Sequence, residues 1–441
     1  MSINTPDEAP QDVAAVQSAT GTIRLVPTSE PSPKGLLFIT GLSIGQLGLF
    51  IALFAPIMIG MAIKVGQLTS DSAELTAIMG NAFGLGGIGA FLGNSIAGRL
   101  SDRTRSRFGM RRPYLVGGAV LMALAFFGLV IAPDGGTLAL CWFIAQFAAN
   151  AAYGPYAATM ADQLPPHQYA RVSAIVGIMQ NIAIFLATWI ATALSANLLA
   201  MFMVPALICV AAMLVYSFIL PDKVLTERPE PFRLGVVLKT FWVNPVKFPD
   251  FALAWWSRFL VIMGYTMFIS FRFPYVADHL GVAKNDVPGV VSQGILWYTL
   301  TLIASGFIAG WISDRIGRRK VFVCASSILF AIGTFLLLHI STVEQFYLVE
   351  AFIGIGFGIY VALDLALVLQ VLPNPEERGK DLGVFNLANA GPGSFAPYLG
   401  GVLLGIGVVS GAKPNYELML IAAAVMALIG AFFVLPIKKV R

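Results

Sequence analysis

Twelve apolar runs, each long enough to carry a helix through a bilayer, divide this 441-residue chain. In hydrocarbon no water satisfies a backbone N–H or C=O, so a spanning segment must close its hydrogen bonds as a helix or within a closed barrel. Runs of about 20 residues fit helices, while barrel strands need about half that length. The runs lie near 36–63, 76–100, 113–132, 138–162, 172–198, 199–220, 252–278, 288–313, 319–340, 343–370, 381–407 and 415–436. The division between the fifth and sixth is the least marked. Only 12% of residues are charged and mean hydropathy is +0.80, against about 25% charged in soluble domains. The expected fold class is an all-α membrane protein with twelve transmembrane helices.

One cluster of acid and base occurs twice. Gly98-Arg99-Leu100-Ser101-Asp102-Arg103 recurs 212 residues later as Gly310-Trp311-Ile312-Ser313-Asp314-Arg315, each between two apolar runs. Each copy ends in a basic tail, Arg111-Arg112-Pro113 in the first and Gly317-Arg318-Arg319-Lys320 in the second. A second echo follows the fourth and tenth runs: Asp162-Gln163-Leu164-Pro165 leads to Arg171, and Gln370-Val371-Leu372-Pro373 to Arg378, at an offset of 208. Repeats at half-chain distance predict two pseudo-symmetric six-helix bundles, the usual construction of a secondary transporter. The bundles are expected over 35–220 and 251–441, joined by a proline-rich linker over 221–250. Phe232 to Val243 in that linker alternates apolar and basic residues and reads as a stretch along the membrane surface.

Basic residues set the orientation. With the N-terminus inside, 21 Lys and Arg fall in inner loops and the C-terminal tail and two in the N-terminal tail, against three outside, Lys64, Lys284 and Lys413. The positive-inside bias then predicts a multi-pass protein of the cytoplasmic membrane with both termini cytoplasmic. The net charge of +5 is thereby a matter of topology, and no nucleic-acid partner is expected. Residues 1–34, rich in Pro, Ser, Thr and acids, read as a disordered tail. The three cysteines fall in apolar runs with no metal or disulfide spacing.

The segment from Gly98 to Pro113 resembles the signature loop of the major facilitator superfamily, in the extended form of sucrose transporters and the glycoside–pentoside–hexuronide symporters. Gln46-Leu47-Gly48 with Leu53 and Pro56 resembles the first helix of the sucrose carriers, and Asn150, Gly154-Pro155, Asp162 and Leu164 resemble the fourth. The resemblance implies alternating access, with helices 1, 4, 7 and 10 lining a central cavity. Plant sucrose carriers hold an acid four residues before the asparagine that aligns with Asn150; here Gln146, which cannot carry a proton, stands there, a departure from the family's coupling position in the fourth helix. Asp102, Arg103, Arg112, Asp162 and Arg171 are the expected inner-gate contacts of the first half, and Asp314, Arg318 and Lys320 those of the second.

Intramembrane charges offer a substitute. Arg258 and Arg272 lie in the seventh run, Glu350 and Asp364 in the tenth, each pair 14 residues apart, which is about 21 Å along a helix and nearly one face. The two runs are antiparallel, so Arg258 matches Asp364 in depth toward the inner side and Arg272 matches Glu350 toward the outer. A charge near the bilayer centre costs roughly 3 kcal/mol, so such groups pair. Two readings stay open: static pairs fastening the seventh helix to the tenth, or a carboxylate, Asp364 first, that takes up a coupling cation (proton or sodium) while its arginine turns to substrate. Glu350 and Arg272 can also be simply hydrated near the interface.

Gln46, Gln146, Asn150, Gln180, Asn181, Gln293, Asn386 and Asn389 are polar residues within the spans. Tyr153, Tyr265, Trp297, Tyr298 and Tyr360 lie at similar depths. Singly each is as readily a hydrogen bond between helices; as a set they suit an uncharged, hydroxyl-rich solute. Gly84 to Gly89 matches a dinucleotide fingerprint in letters, but within a span and without a preceding strand it fails the context that chemistry needs. No phosphate-binding loop, metal set or nucleophile–base arrangement is present, so no cofactor and no enzymatic activity are expected. The expected function is transport of a small-molecule substrate, a sugar or glycoside, by a monomer in the bilayer with proton coupling. Organic-anion symport, drug export and a non-transporting sensor are the alternatives.

Overall fold

The computed structural model describes residues 13–17, 23–27, 32–222, 224, 243–373, 378–408 and 412–438. Twelve long helices follow one another among them: α1 (Leu36–Leu68), α2 (Ser72–Ser101), α3 (Arg112–Ile131), α4 (Gly135–Gln163), α5 (Pro166–Ala193), α6 (Leu198–Ile219), α7 (Pro249–Asp278), α8 (Val287–Ile316), α9 (Arg319–Leu336), α10 (Val343–Val371), α11 (Arg378–Gly405) and α12 (Tyr416–Val434). Eleven are apolar and long enough to cross a membrane; α11, broken in pattern by Pro392 and Pro397, is the least apolar. Local signals set many ends. Asp71, Asp134 and Asn197 accept hydrogen bonds from the first-turn amides of α2, α4 and α6, and Thr342 with Gln345 forms a capping box on α10. Gly317 closes α8 at φ +70°, a conformation that glycine adopts freely. In α1 one π turn, Pro56–Gly60, absorbs the proline's missing donor.

The helices pack as two bundles of matching design. In the first, α1 packs on α5 and α6, and α4 on α2 and α3; in the second, α7 packs on α11 and α12, and α10 on α8 and α9. Each α-helix contact of one half thus has its counterpart six helices later, as the repeated loop implies. The equivalent pairs α2–α4 and α8–α10 both approach closely at glycines, carried by α2 in the first half and by α10 in the second. A side chain on Gly93 would strike the backbone of Phe147, and one on Gly358 the carbonyl of Leu302.

One detail differs from the sequence reading, and another goes untested. The tail expected to be disordered over 1–34 contains, in its described part, two strands, β1 (Val13–Gln17) and β2 (Ile23–Pro27), paired antiparallel with Ala15 opposite Leu25. Five-residue pairings of this kind are marginal alone, and composition does not announce them. The surface stretch over 232–243 falls almost wholly outside the described residues.

Candidate functional site

Between the halves lies a cavity of about 870 Å³, within the range of small-molecule sites. The first half faces it with amides, Asn94, Gln146, Asn150, Gln180 and Asn181. The second half faces it with Arg258, Tyr265, Tyr298, Tyr360 and Asn389. Tyr265 stacks on Phe357 with ring centroids 3.9 Å apart, which stiffens that wall. The hydroxyls of Tyr298 and Tyr360 are buried and complete no hydrogen bond of good geometry. Gln46 is buried behind the wall and donates to Gln180 Oε1 at 3.4 Å.

The cavity reaches Gly98 and Arg99, in the last turn of α2 on the face that carries both termini. On the opposite face the halves meet. Ser72 Oγ donates to Asp278 Oδ1 at 2.9 Å across the halves, and Tyr416 donates to the other oxygen at 2.9 Å. Thr192 donates to the carbonyl of Pro288 at 3.1 Å, and a Cβ on Gly80 would stand 2.9 Å from the Cα of Gly401. The conformation is therefore closed on the face opposite the termini.

Two ion pairs fasten α7 to α10. Arg272 Nε lies 2.8 Å from Glu350 Oε1 and Nη2 donates to Oε2 at 3.1 Å, with side chains only 3% and 0% exposed. Its guanidinium rests against Phe268 and Tyr298. Arg258 Nη1 donates to Asp364 Oδ2, and here the arginine is 21% exposed and the carboxylate 3%. The Arg258 guanidinium lies over the Phe385 ring at 4.8 Å. Only Arg258 of these four lines the cavity.

Several expected site residues stand elsewhere. Trp297 is 44% exposed on the outer surface of α8, because adjacent helical residues point about 100° apart and Tyr298 takes the inward direction. Tyr153 packs edge-on to Phe50 at 5.6 Å, and neither it nor Gln293 lines the cavity. Asn386 lies outside the described side chains. Asn94 and Ser95 line the cavity, and neither entered the sequence-derived set, because α2 reads there as a glycine packing surface.

The expected first-half gate set needs a larger correction. Buried Arg111, not Arg112, gathers the acids: its guanidinium meets Asp102 at 2.5 Å and Asp162 at 3.0 Å, and donates to Ser101 Oγ at 2.5 Å. Asp222 Oδ2 accepts from the amides of Arg111 and Arg112 at 2.8 and 2.9 Å, capping α3. Arg112 instead donates to the carbonyl of Leu220 at 2.5 Å, past the end of α6. Lys320 does the same for the carbonyl of Ile437 past the end of α12, at 2.9 Å. Both cations satisfy orphan carbonyls at a helix C-terminus within their own half. Arg171 and Arg318 are exposed, Arg103 keeps a partner of its own, and the Asp314 side chain lies outside the described set. The acid–base cluster thus ties α2, α3 and α4 of one half together.

A family model described as the Major Facilitator Superfamily matches residues 36–297 and 254–441. The chain belongs to that superfamily. It is accordingly a multi-pass membrane protein of that superfamily. Among solved structures of this superfamily's fold, the nucleoside transporter NupG superposes with a TM-score of 0.69 at 14% identity, covering 92% of this chain and 100% of the other. A D-xylose-proton symporter superposes with a TM-score of 0.67 at 15% identity, covering 92% and 98%. Curated relatives include the putative multidrug resistance protein MdtD of Klebsiella pneumoniae (strain 342), 27% identical over 155 residues, 34% of this chain and 32% of that protein. The same-named protein of Salmonella typhi is 27% identical over 164 residues, 36% of this chain and 33% of the other. The chain spans about a third of the length of these curated relatives.

Proposed function

We propose that this superfamily member moves a small, hydroxyl-rich solute of the sugar or glycoside kind across the cytoplasmic membrane, by alternating access and with proton coupling at Asp364. The observation that carries the reading is the cavity wall: five amides on one side and an arginine backed by a buried carboxylate on the other. Amides offer paired donors and acceptors to hydroxyls, and tyrosine faces offer stacking surfaces. Arg258 separates Asp364 from the cavity, so a proton there changes the arginine's hold on whatever enters. The fold likeness to proteins named for nucleosides and for D-xylose with a proton supports the same direction. The loop and first-helix resemblance favours the sucrose and glycoside–pentoside–hexuronide branch. With both termini cytoplasmic, the described conformation is the inward-facing state, and the Ser72–Asp278–Tyr416 contact is the closed outer gate. The transporting unit is a monomer.

A drug-export reading draws on the MdtD match and on the aromatic side chains that also line the cavity, Phe54, Phe83, Trp142 and Phe357 among them; the five amides of the first half oppose it. In proteoliposomes an imposed inward proton gradient should drive accumulation of a sugar or glycoside, and a protonophore should collapse it. Gradient-driven extrusion of amphipathic cations with no sugar movement would replace this reading with drug export. Binding without any flux would favour a sensor.

A further inference from the structure

We propose that the closed face opposite the termini holds a second ligand site, which takes a small zwitterion and, while filled, keeps the protein inward-facing. What the occupant does rests on the alternating-access reading above; the site itself rests on geometry. A recess of about 400 Å³ lies on that face, at the small end of ligand sites, and it shares no lining residue with the central cavity. The first half supplies Gln67, Ser70 and Ser195, and the second supplies Asp278, Lys284 and Asn285. Neither half forms the recess alone. Ser72 and Asp278, whose hydrogen bond at 2.9 Å joins the halves, both stand in its wall. Pro288 stands there too, and its carbonyl accepts from Thr192 of the other half. The contacts that close this face are therefore the contacts that bring the walls of the recess together.

Charge separates the two chambers. Arg99 and Arg258 line the central cavity, and among the described residues no Asp or Glu does, so an ammonium group is disfavoured there. The recess carries an acid, Asp278. A carboxylate has about four acceptor positions, and Asp278 uses one on each oxygen, for Ser72 and for Tyr416. An ammonium can therefore bind it without breaking the contact that closes the face. Lys284 lines the same recess and is exposed, on a flexible stem that brings its own ammonium to a carboxylate. A simple cation meets Lys284 as a like charge, and a simple anion meets Asp278 as one; a molecule with both signs satisfies both. Gln67, Ser70, Ser195 and Asn285 offer hydrogen bonds to the polar groups between its ends. Because the walls belong to opposite halves, the occupant binds the state closed on this face and not the open one. Mass action then raises the closed population by one plus the ratio of ligand concentration to dissociation constant. An external zwitterion is thus a brake on the return to the outward-facing state.

Two measurements on the full chain test this, and neither depends on which solute is transported. In the first, Ser195→Cys is labelled with a membrane-impermeant maleimide, wild type supplying the background, in the presence of L-serine, L-glutamine or 4-aminobutyrate. At least one of these should protect the cysteine saturably, about tenfold more tightly than choline, lactate or D-glucitol. Asn285→Ala in the same background should weaken that protection by roughly two- to tenfold, and Lys284→Gln by at least about threefold. In the second, spin labels at Pro133→Cys and Lys413→Cys, exposed positions on the same face in opposite halves, report their separation. In a Thr192→Val background, which lacks one hydrogen bond between the halves, the protecting probe should move the distance distribution toward its shorter component. Protection by none of the zwitterions, equal protection by choline, lactate or D-glucitol, or protection without a change in the distances would each overturn the inference. Sugar uptake failing while both results hold would sink the transport reading alone.

Discussion

The same two helices carry two arginine–carboxylate pairs, and they differ in what lies on the far side of the arginine. Arg272–Glu350 is enclosed completely, with Phe268 and Tyr298 against the guanidinium. Arg258–Asp364 is enclosed on the carboxylate side only, and its arginine stands in the cavity wall. A fully enclosed pair cannot exchange protons or partners without unpacking, so its free energy serves to fix α7 against α10. A pair with one open face can be divided by a proton and a solute. On the proposed reading, the same chemistry serves structure in one place and coupling in the other, and burial makes the difference.

The difference is sharpest for transport when each pair is replaced by apolar residues of similar volume. Exchanging a buried pair for well-packed hydrophobic side chains is often neutral or even stabilising. The double variant Arg272→Met/Glu350→Leu should therefore keep uptake within about tenfold of wild type, while Arg258→Met/Asp364→Leu should lose it. Equal loss in both, measured as initial uptake in proteoliposomes, would erase the distinction. Breaking one partner gives the second contrast, now in stability. Glu350→Gln leaves the Arg272 charge enclosed and should cost about 3–5 kcal/mol, read as a lower thermal midpoint in detergent. Asp364→Asn leaves an arginine that cavity water can solvate and should cost clearly less.

The first-half cluster offers an intermediate case. Arg111 is buried, but Asp102 is exposed and Asp162 partly so. Both acids rehydrate when the arginine is removed, so Arg111→Ala should cost about 1–3 kcal/mol. A cost above that of Glu350→Gln would mean that the cluster is packed as tightly as the enclosed pair. The smallest effect belongs to Arg112→Ala, which gives up one cation at the end of α6 and should cost below about 1 kcal/mol, visible only as a small midpoint shift.

Hydropathy and the repeated loop were enough to locate the spans and the two halves, since both are written in residue type and spacing. The two ion pairs were also legible, because charges in antiparallel spans meet where their depths match. Facing directions were not. Helix α8 is apolar nearly all round, and lipid is as apolar as a protein interior, so nothing separates Trp297 from Tyr298 until the helix is placed. The choice of Arg111 over Arg112 depends on the turn at Gly109, whose φ of +104° brings the chain against Asp222, a residue 111 positions later than Arg111. The Ser72–Asp278–Tyr416 contact joins residues 206 and 138 apart with no motif to mark it. Which face is closed belongs to a conformation rather than to a pattern.

Solute-driven proton movement separates the two pairs in a single assay. Vesicles loaded with a pH-sensitive dye receive a transported solute with no gradient imposed, and the internal pH is followed for wild type, Asp364→Asn and Arg272→Met/Glu350→Leu. Acidification should accompany solute entry in wild type and in the double variant, and vanish in Asp364→Asn while solute exchange continues. Proton flux that persists without the Asp364 carboxylate, or that disappears only when Arg272 and Glu350 are replaced, would contradict the assignment of Asp364 and Arg258 as the working pair.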